Sequence, residues 1–370
     1  MKLLWLDLNS SYAHSSLALP ALHAQIADDT TIEWCIVSAT INENTGMVVS
    51  RIHKHRPDII AATNWLFNHE QLLHIISRAK ALLPHCCIVL GGPEFLGNNE
   101  AFLYKNKFVS GVFRGEGEEV FPQWLKVWNH SKETWKAITG LCYLDENGRY
   151  QDNGIARVMN FSQLVSPEKS CFFNWSKPFV QLETTRGCFN TCAFCVSGGE
   201  KPVRTIPLEA IRERLNDIHQ HGIKNVRVLD RTFNYNNKRA KELLDLFRQY
   251  PDICFHLEIH PALLSEELKQ ELSVLPKGLL HLEAGIQSLK ESVLQQSHRI
   301  GKLSDALEGL KYLCSLKNME THADLIAGLP LYHLSEIFED VRTLAEYGAG
   351  EIQLESLKLL PCLLYTSPSP

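Results

Sequence analysis

From Met1 to about Gly140, short apolar runs (KLLWLDL, IEWCIVSATI, DIIAATNWL, CCIVLGGPEF and FVSGVFRGEGE) alternate with amphipathic stretches. Near-continuous apolar runs are what strands covered on both faces need, so the pattern predicts a parallel α/β sheet. Between the runs the period lengthens to that of a helix. Over Glu70 to Leu83, residues Leu72, Leu73, Ile75, Ile76, Ala79 and Leu82 fall on one face. Five strands of this kind predict a flavodoxin-like doubly wound domain over residues 1–140.

Residues 141–178 (LCYLDENGRYQDNG and onward) carry turn signals with little helical period and read as a linker. From Phe179 the alternation resumes at a longer cadence. FVQLETT, NVRVLD, CFHLEIH, LLHLEAGIQ, THADLIAGLP and EIQLESLKLLP read as strands, with helices such as IRERLNDIHQH and RAKELLDLFRQY between them. Six β/α units predict a partial (β/α)6 barrel over 179–361, with chemistry at the C-terminal ends of its strands. The cadence breaks after Pro361. Residues 362–370, CLLYTSPSP, read as a non-native tail of translated adapter sequence, so that whatever followed the sixth strand is expected to be missing; a native flexible tail is the alternative.

A chain of 370 residues exceeds the size at which one core stops growing, in keeping with two domains. Its net charge is −5 and its Lys and Arg are scattered, which argues against a nucleic-acid-binding face. No run approaches ~18 uninterrupted apolar residues and the apolar N-terminus is too short for a signal peptide, so no membrane partner and a cytoplasmic location are expected.

Eleven cysteines change the picture more. Cys35, Cys86, Cys87, Cys142, Cys171, Cys254 and Cys314 are scattered and read as reduced core residues. Cys188, Cys192 and Cys195 crowd into one loop, ETTRGCFNTCAFC, directly after a strand. Gly187, Asn190 and Thr191 mark that loop as an exposed turn. Thiolates suit iron–sulfur clusters, and three of them on a four-iron cube leave one iron open to chemistry. A structural zinc ion is the alternative, but it wants a fourth donor, and none is evident in the sequence.

Cys188-x-x-x-Cys192-x-Phe194-Cys195 after a barrel strand resembles the radical S-adenosylmethionine (SAM) superfamily. Three later segments, LEIHP, LEAGIQS with a downstream arginine, and HADLIAGLP, resemble those of its oxygen-independent coproporphyrinogen oxidase and thiomethyltransferase branches. The resemblance implies a 4Fe-4S cluster on the three cysteines, whose open iron chelates SAM. It also implies reductive cleavage of SAM to methionine and a 5'-deoxyadenosyl radical. Carried over by position, Glu258 would contact the polar end of SAM, Gln287 and Asp324 its ribose hydroxyls, and Arg299 the methionine carboxylate. A zwitterion needs such charge-assisted partners. Solvated strand ends and a surface arginine are the plainer reading of these residues.

Ser197-Gly198-Gly199-Glu200 contains a superfamily Gly-Gly-Glu motif, but directly after the cluster loop rather than after the second strand. Gly198 and Gly199 therefore read as turn residues. The second strand ends instead in Asp230-Arg231-Thr232-Phe233-Asn234, the form of the cobalamin-associated branch, so Asp230, Phe233 and Asn234 are expected to line the pocket.

In the N-terminal domain, Gly91-Gly92 and Gly115-x-Gly117 follow successive strands, at the sheet edge where doubly wound folds bind ligands. With the barrel behind it, this order resembles cobalamin-binding-domain radical SAM proteins, within them a group whose chains open like LNSSYAHSSLAL. Cobalamin is thus the second implied cofactor. The Asp-x-His-x-x-Gly motif that supplies a cobalt ligand elsewhere is absent, and His14 is either a substitute or an ordinary loop histidine.

The implied function is a radical SAM enzyme, in its more specific form a cobalamin-dependent methyltransferase, acting with an external one-electron donor of flavodoxin or ferredoxin type. No motif marks a substrate or a residue reacting with it. The alternative is a corrinoid- or nucleotide-binding sensory module with a structural or redox-sensing metal.

Overall fold

The structure is a computed structural model that describes residues 1–11, 16–198, 200–358 and 360. His14, Gly199 and the 362–370 tail lie outside the described residues. The chain divides into two compact units, one over Met1–Lys177 and one beginning at Pro178.

The first unit is built on one sheet. Strands β1 (Lys2–Asn9), β2 (Glu33–Thr40), β3 (Ile59–Thr63), β4 (Cys87–Gly91) and β5 (Gly111–Phe113) run parallel in the order β2-β1-β3-β4-β5. This is the flavodoxin-like order, with its switch point between β1 and β3. The five apolar runs are buried on both faces, as a parallel sheet requires: Leu4, Leu6 and Ile60 belong to one core, Leu3, Trp5 and Ile59 to the other. The helix expected over 70–83 spans His69–Leu82 and buries Leu72, Ile75, Ile76 and Ala79.

The expected linker is a correction. Leu141–Leu144 (β6) and Tyr150–Asp152 (β7) form an antiparallel hairpin that extends the same sheet past β5. The cause is local: Asn147-Gly148 closes a short turn in which Asp145 accepts from the Asn147 and Arg149 amides, at 2.9 and 2.8 Å. Tyr143 is fully buried against Trp135, so the hairpin belongs to the core.

In the second unit, β8 (Val180–Leu182), β11 (Asn225–Val228), β12 (Cys254–Ile259), β13 (Leu280–Gln287), β14 (Glu320–Ala327) and β15 (Glu351–Ser356) pair in parallel in chain order. Helices such as Leu208–Gln220 and Asn237–Phe247 connect them, giving the predicted open partial barrel. A separate antiparallel pair, β9 (Thr185–Arg186) and β10 (Arg204–Thr205), closes the cysteine loop at its base.

Along β12 burial alternates: Phe255, Leu257 and Ile259 are buried, while His256 and Glu258 are only partly so. Phe255 stacks on Phe247 of the neighbouring helix at 4.1 Å, which fixes the apolar face as the outer one. His256 and Glu258 therefore face the barrel interior, in register with His281 and Glu283 of β13.

Candidate functional site

The cysteine loop is fixed from beneath by Asp230. Its buried carboxylate accepts from the Thr184 and Thr185 amides at 2.8 and 2.9 Å and from the Thr184 hydroxyl. Burial pushes this carboxyl's pKa up, and the threonine donors oppose that shift. Both oxygens are thus used to set where β8 gives way to the loop, so Asp230 braces the site rather than lining a pocket. Phe233 and Asn234 differ from expectation in the same way. Phe233 is buried against Phe247, and Asn234 exchanges hydrogen bonds with the His260 backbone at 2.8 and 2.9 Å.

Above this brace, Cys188 and Cys192 are buried and Cys195 is partly so, and all ten described cysteines are free thiols. The loop is held tight. Cys188 N donates to Glu200 O at 3.0 Å, and Gly198 packs so close that a Cβ there would stand 2.6 Å from Cys192 O and 3.0 Å from Cys195 O. Among the described residues no group of three or more His, Cys, Asp or Glu forms a single-ion site. Three thiols on one short loop form a donor set suited to an iron–sulfur cluster, which takes each thiolate at a separate iron.

One guanidinium group reaches these sulfurs and a second acts on them through its charge. Arg299 Nη1 lies 3.8 Å from Cys192 Sγ, and its Nη2 donates to the Gly285 carbonyl. Burial pushes the Cys192 thiol pKa up, and the Arg299 charge pulls it back. Arg231, which the sequence reading passed over, lies near enough to Cys195, Glu258 and Glu183 to lower the pKa of each. The Asp230-to-Asn234 segment signalled a functional strand end, but not that the Arg231 charge would act on the Cys195 thiol.

Glu258 and Gln287 come to the same mouth. Glu258 is close enough to the Cys195 thiol to affect its titration, and burial raises Glu258's own pKa. Gln287 ends β13 at φ +73°, after a bulge, with its amide folded over Gly285. Asp324, two positions further along the strands than the level of Glu258, is tied to a network that no sequence motif marks. His256 Nε2 and Arg227 Nη2 reach Glu283 Oε2 at 2.7 and 3.0 Å, and His322 Nε2 lies 2.8 Å from Asp324 Oδ1. That last pair is out of line for a hydrogen bond, so both atoms are buried without a partner. His281 completes the group, its ring 4.7 Å from that of His256 and 6.0 Å from that of His322. The alternation of strand positions could have revealed these residues, since they fall on the face opposite the apolar one.

Burial and the neighbouring Glu283 push the Asp324 carboxyl up to about 8. Burial alone would raise Glu283 too, but its hydrogen bond to His256 and the Arg227 charge hold it at about 2. The pair therefore keeps one proton at neutral pH, on Asp324.

In the first unit, Gly92 has φ +114°, and a Cβ there would run into the Asn64 carbonyl. Gly115 has φ +100° and packs against the Ala156 backbone in the same manner. Both are required by close backbone approach within the protein. Gly91 ends β4 and accepts from Asn64 N at 2.7 Å, and Gly117 sits against Leu22. At this edge Asn64 Oδ1 and Glu94 Oε1 are buried without a hydrogen-bond partner, and burial raises the Glu94 pKa. The Trp65 and Phe67 rings stack beside them, 6.4 Å apart, and Leu66 and Phe67 are exposed. Unmet polar atoms beside an exposed apolar surface at the switch point fit a large ligand with an amide-bearing rim.

Two outcomes follow. Asp230→Ala removes a buried acceptor from three donors and should cost about 3 kcal/mol in denaturant unfolding. Asp324 holds in the folded state a proton that the unfolded chain, with its ordinary value of 3.8, releases; its contribution to stability is therefore lost as pH rises from about 4 to about 8. Asp324→Asn should raise the melting temperature more at pH 8 than at pH 5, and an equal gain at both would contradict this assignment.

Comparison with known proteins agrees with this geometry. Residues 8–125 match the B12 binding domain and residues 182–344 the Radical SAM superfamily. An uncharacterized methyltransferase of Pyrococcus horikoshii is 26% identical over 292 residues, 75% of this chain and 62% of its own length. The cobalamin-dependent radical SAM methyltransferase TokK of Streptomyces tokunonensis is 19% identical over 82% of this chain and 47% of its own. The chain thus spans about half to three fifths of the length of these relatives. Among solved structures, the radical SAM methyltransferase TsrM of Kitasatospora setae, with cobalamin and a [4Fe-4S] cluster bound, superposes with a TM-score of 0.77 at 15% identity, covering 99% of this chain and 74% of that one. The fold is therefore shared. The chain thus carries a B12-binding domain over residues 8–125, on the doubly wound sheet, and a Radical SAM domain over residues 182–344, on the barrel with its thiol loop.

Proposed function

We propose that the chain is a radical SAM enzyme and, in its more specific form, a cobalamin-dependent methyltransferase. The observation that carries this is the three-thiol loop at the barrel mouth, with the Arg299 guanidinium on Cys192 and Glu258 beside Cys195. Cys188, Cys192 and Cys195 would hold a 4Fe-4S cluster, which when bound supplies the electron that cleaves SAM to methionine and a 5'-deoxyadenosyl radical.

The chain's own residues bind and orient. Glu258 receives the cationic end of SAM. Arg299 has five N–H donors and uses two on Gly285 and Cys192, so the others can meet the carboxylate. Gln287 and the unmet Asp324 Oδ1 receive ribose hydroxyls, and the protonated Asp324 carboxyl can both donate and accept. At the other sheet, Asn64, Gly92 and Glu94, with the Trp65 and Phe67 rings, would hold the corrinoid that carries a methyl group. The free thiols suit a reducing cytoplasm, where a flavodoxin or ferredoxin would deliver the electron.

Anaerobic reconstitution with iron and sulfide, then reduction in the presence of SAM, should yield 5'-deoxyadenosine by mass spectrometry, and Cys192→Ala should lower the yield at least 100-fold. Zinc bound by four donors in place of the cluster would refute the enzyme reading. Incubation with hydroxocobalamin followed by desalting should leave about one corrinoid per chain in the visible spectrum. Complete loss of the corrinoid on the column would remove cobalamin from the proposal and leave radical SAM chemistry standing.

A further inference from the structure

The segment after the helix Glu291–Gln296 is laid along the cysteine loop. Ala193 N donates to Ser297 O at 3.0 Å, Thr191 Oγ1 to His298 O at 3.2 Å, and Ile300 N to Asn190 Oδ1 at 3.4 Å. His298 takes the left-handed φ of +55° within this strap. Arg299 is half-buried, with Nη2 on the Gly285 carbonyl and Nη1 toward Cys192 Sγ at 3.8 Å. Of the three thiols only Cys192 has a side-chain N–H donor at hydrogen-bonding distance among the described residues.

We propose that Arg299 is a positioning residue for the cluster: clamped by the 297–300 strap and the Gly285 carbonyl, it fixes the Cys192 sulfur and sets the reduction potential at that corner. This rests on reading the three cysteines as cluster ligands. Hydrogen bonds to ligand sulfur and the local charge are what tune such potentials. A permanent cation at hydrogen-bonding distance stabilises the state with one more electron. Guanidinium keeps its proton at every accessible pH, so it acts without titrating. In the step concerned, one electron arrives from an external low-potential donor, no bond forms or breaks at Arg299, and no proton moves.

The test is an EPR-monitored potentiometric titration of the reconstituted wild type, R299K and R299Q, without SAM so that contacts to it play no part, alongside iron and sulfide analysis. R299Q should titrate at a more negative midpoint than the wild type, and R299K should stay close to it. R299Q with full iron and an unmoved midpoint overturns the proposal and leaves Arg299 only a contact for SAM. If R299Q holds no iron, R299K decides: retained iron at a near-wild-type midpoint supports the role of the charge, and loss of iron from R299K as well overturns it. A wild type that assembles no four-iron cluster sinks the underlying reading and this inference with it.

Discussion

The Asp230 carboxylate accepts from two consecutive backbone amides and a hydroxyl, Thr184 and Thr185, at the point where a barrel strand turns into the thiol loop. That loop has little regular secondary structure of its own, so its shape rests on hydrogen bonds to its surroundings together with the packing of Ala193 and Phe194. Asp230 sets its base, the β9–β10 pair closes it, and the 297–300 strap holds its far side. Burying a carboxylate is costly unless its acceptors are filled, and here three donors fill them. The three sulfurs thus stand on a loop whose base is held by an acid that touches none of them.

Barrels of this kind usually fill their interior with layers of branched apolar side chains. This one places His256, His281, His322, Glu283, Asp324 and Arg227 there. The outer face takes up the apolar work, with Phe255, Leu257 and Ile259 against the helices. Within the network Arg227 offsets Glu283, and burial beside Glu283 favours the protonated form of Asp324. The interior is thus rich in hydrogen-bonding groups rather than filled with hydrocarbon.

The architecture was legible because it rests on periodicity. All six barrel strands and the five parallel strands of the first sheet appear where apolar runs stand in the sequence. The β6–β7 hairpin was hidden because Leu141–Leu144 is short and its Asn-Gly turn reads equally well as a loop. The thiol loop was legible from spacing alone. Side-chain direction was not: Asp230 and Asn234 sit in a motif that suggests a pocket, yet both turn inward to hold backbone. Alternation puts each histidine of the cluster on the polar face of its strand, but which of them meet depends on register between strands about 25 to 40 residues apart, which no local pattern encodes.

The contacts between the thiol loop and its strap join residues about a hundred positions apart, Thr191 with His298 and Cys192 with Arg299. A nascent chain leaving the ribosome therefore exposes its three sulfurs long before the partners that fix them have been made. Metal insertion at that stage would meet a flexible, unguided trio of thiols. Only after the fourth barrel strand and the 297–300 strap behind it have been made does the order of synthesis allow a defined receptacle, so a cluster bound by this loop would find its site set well after the cysteines have emerged.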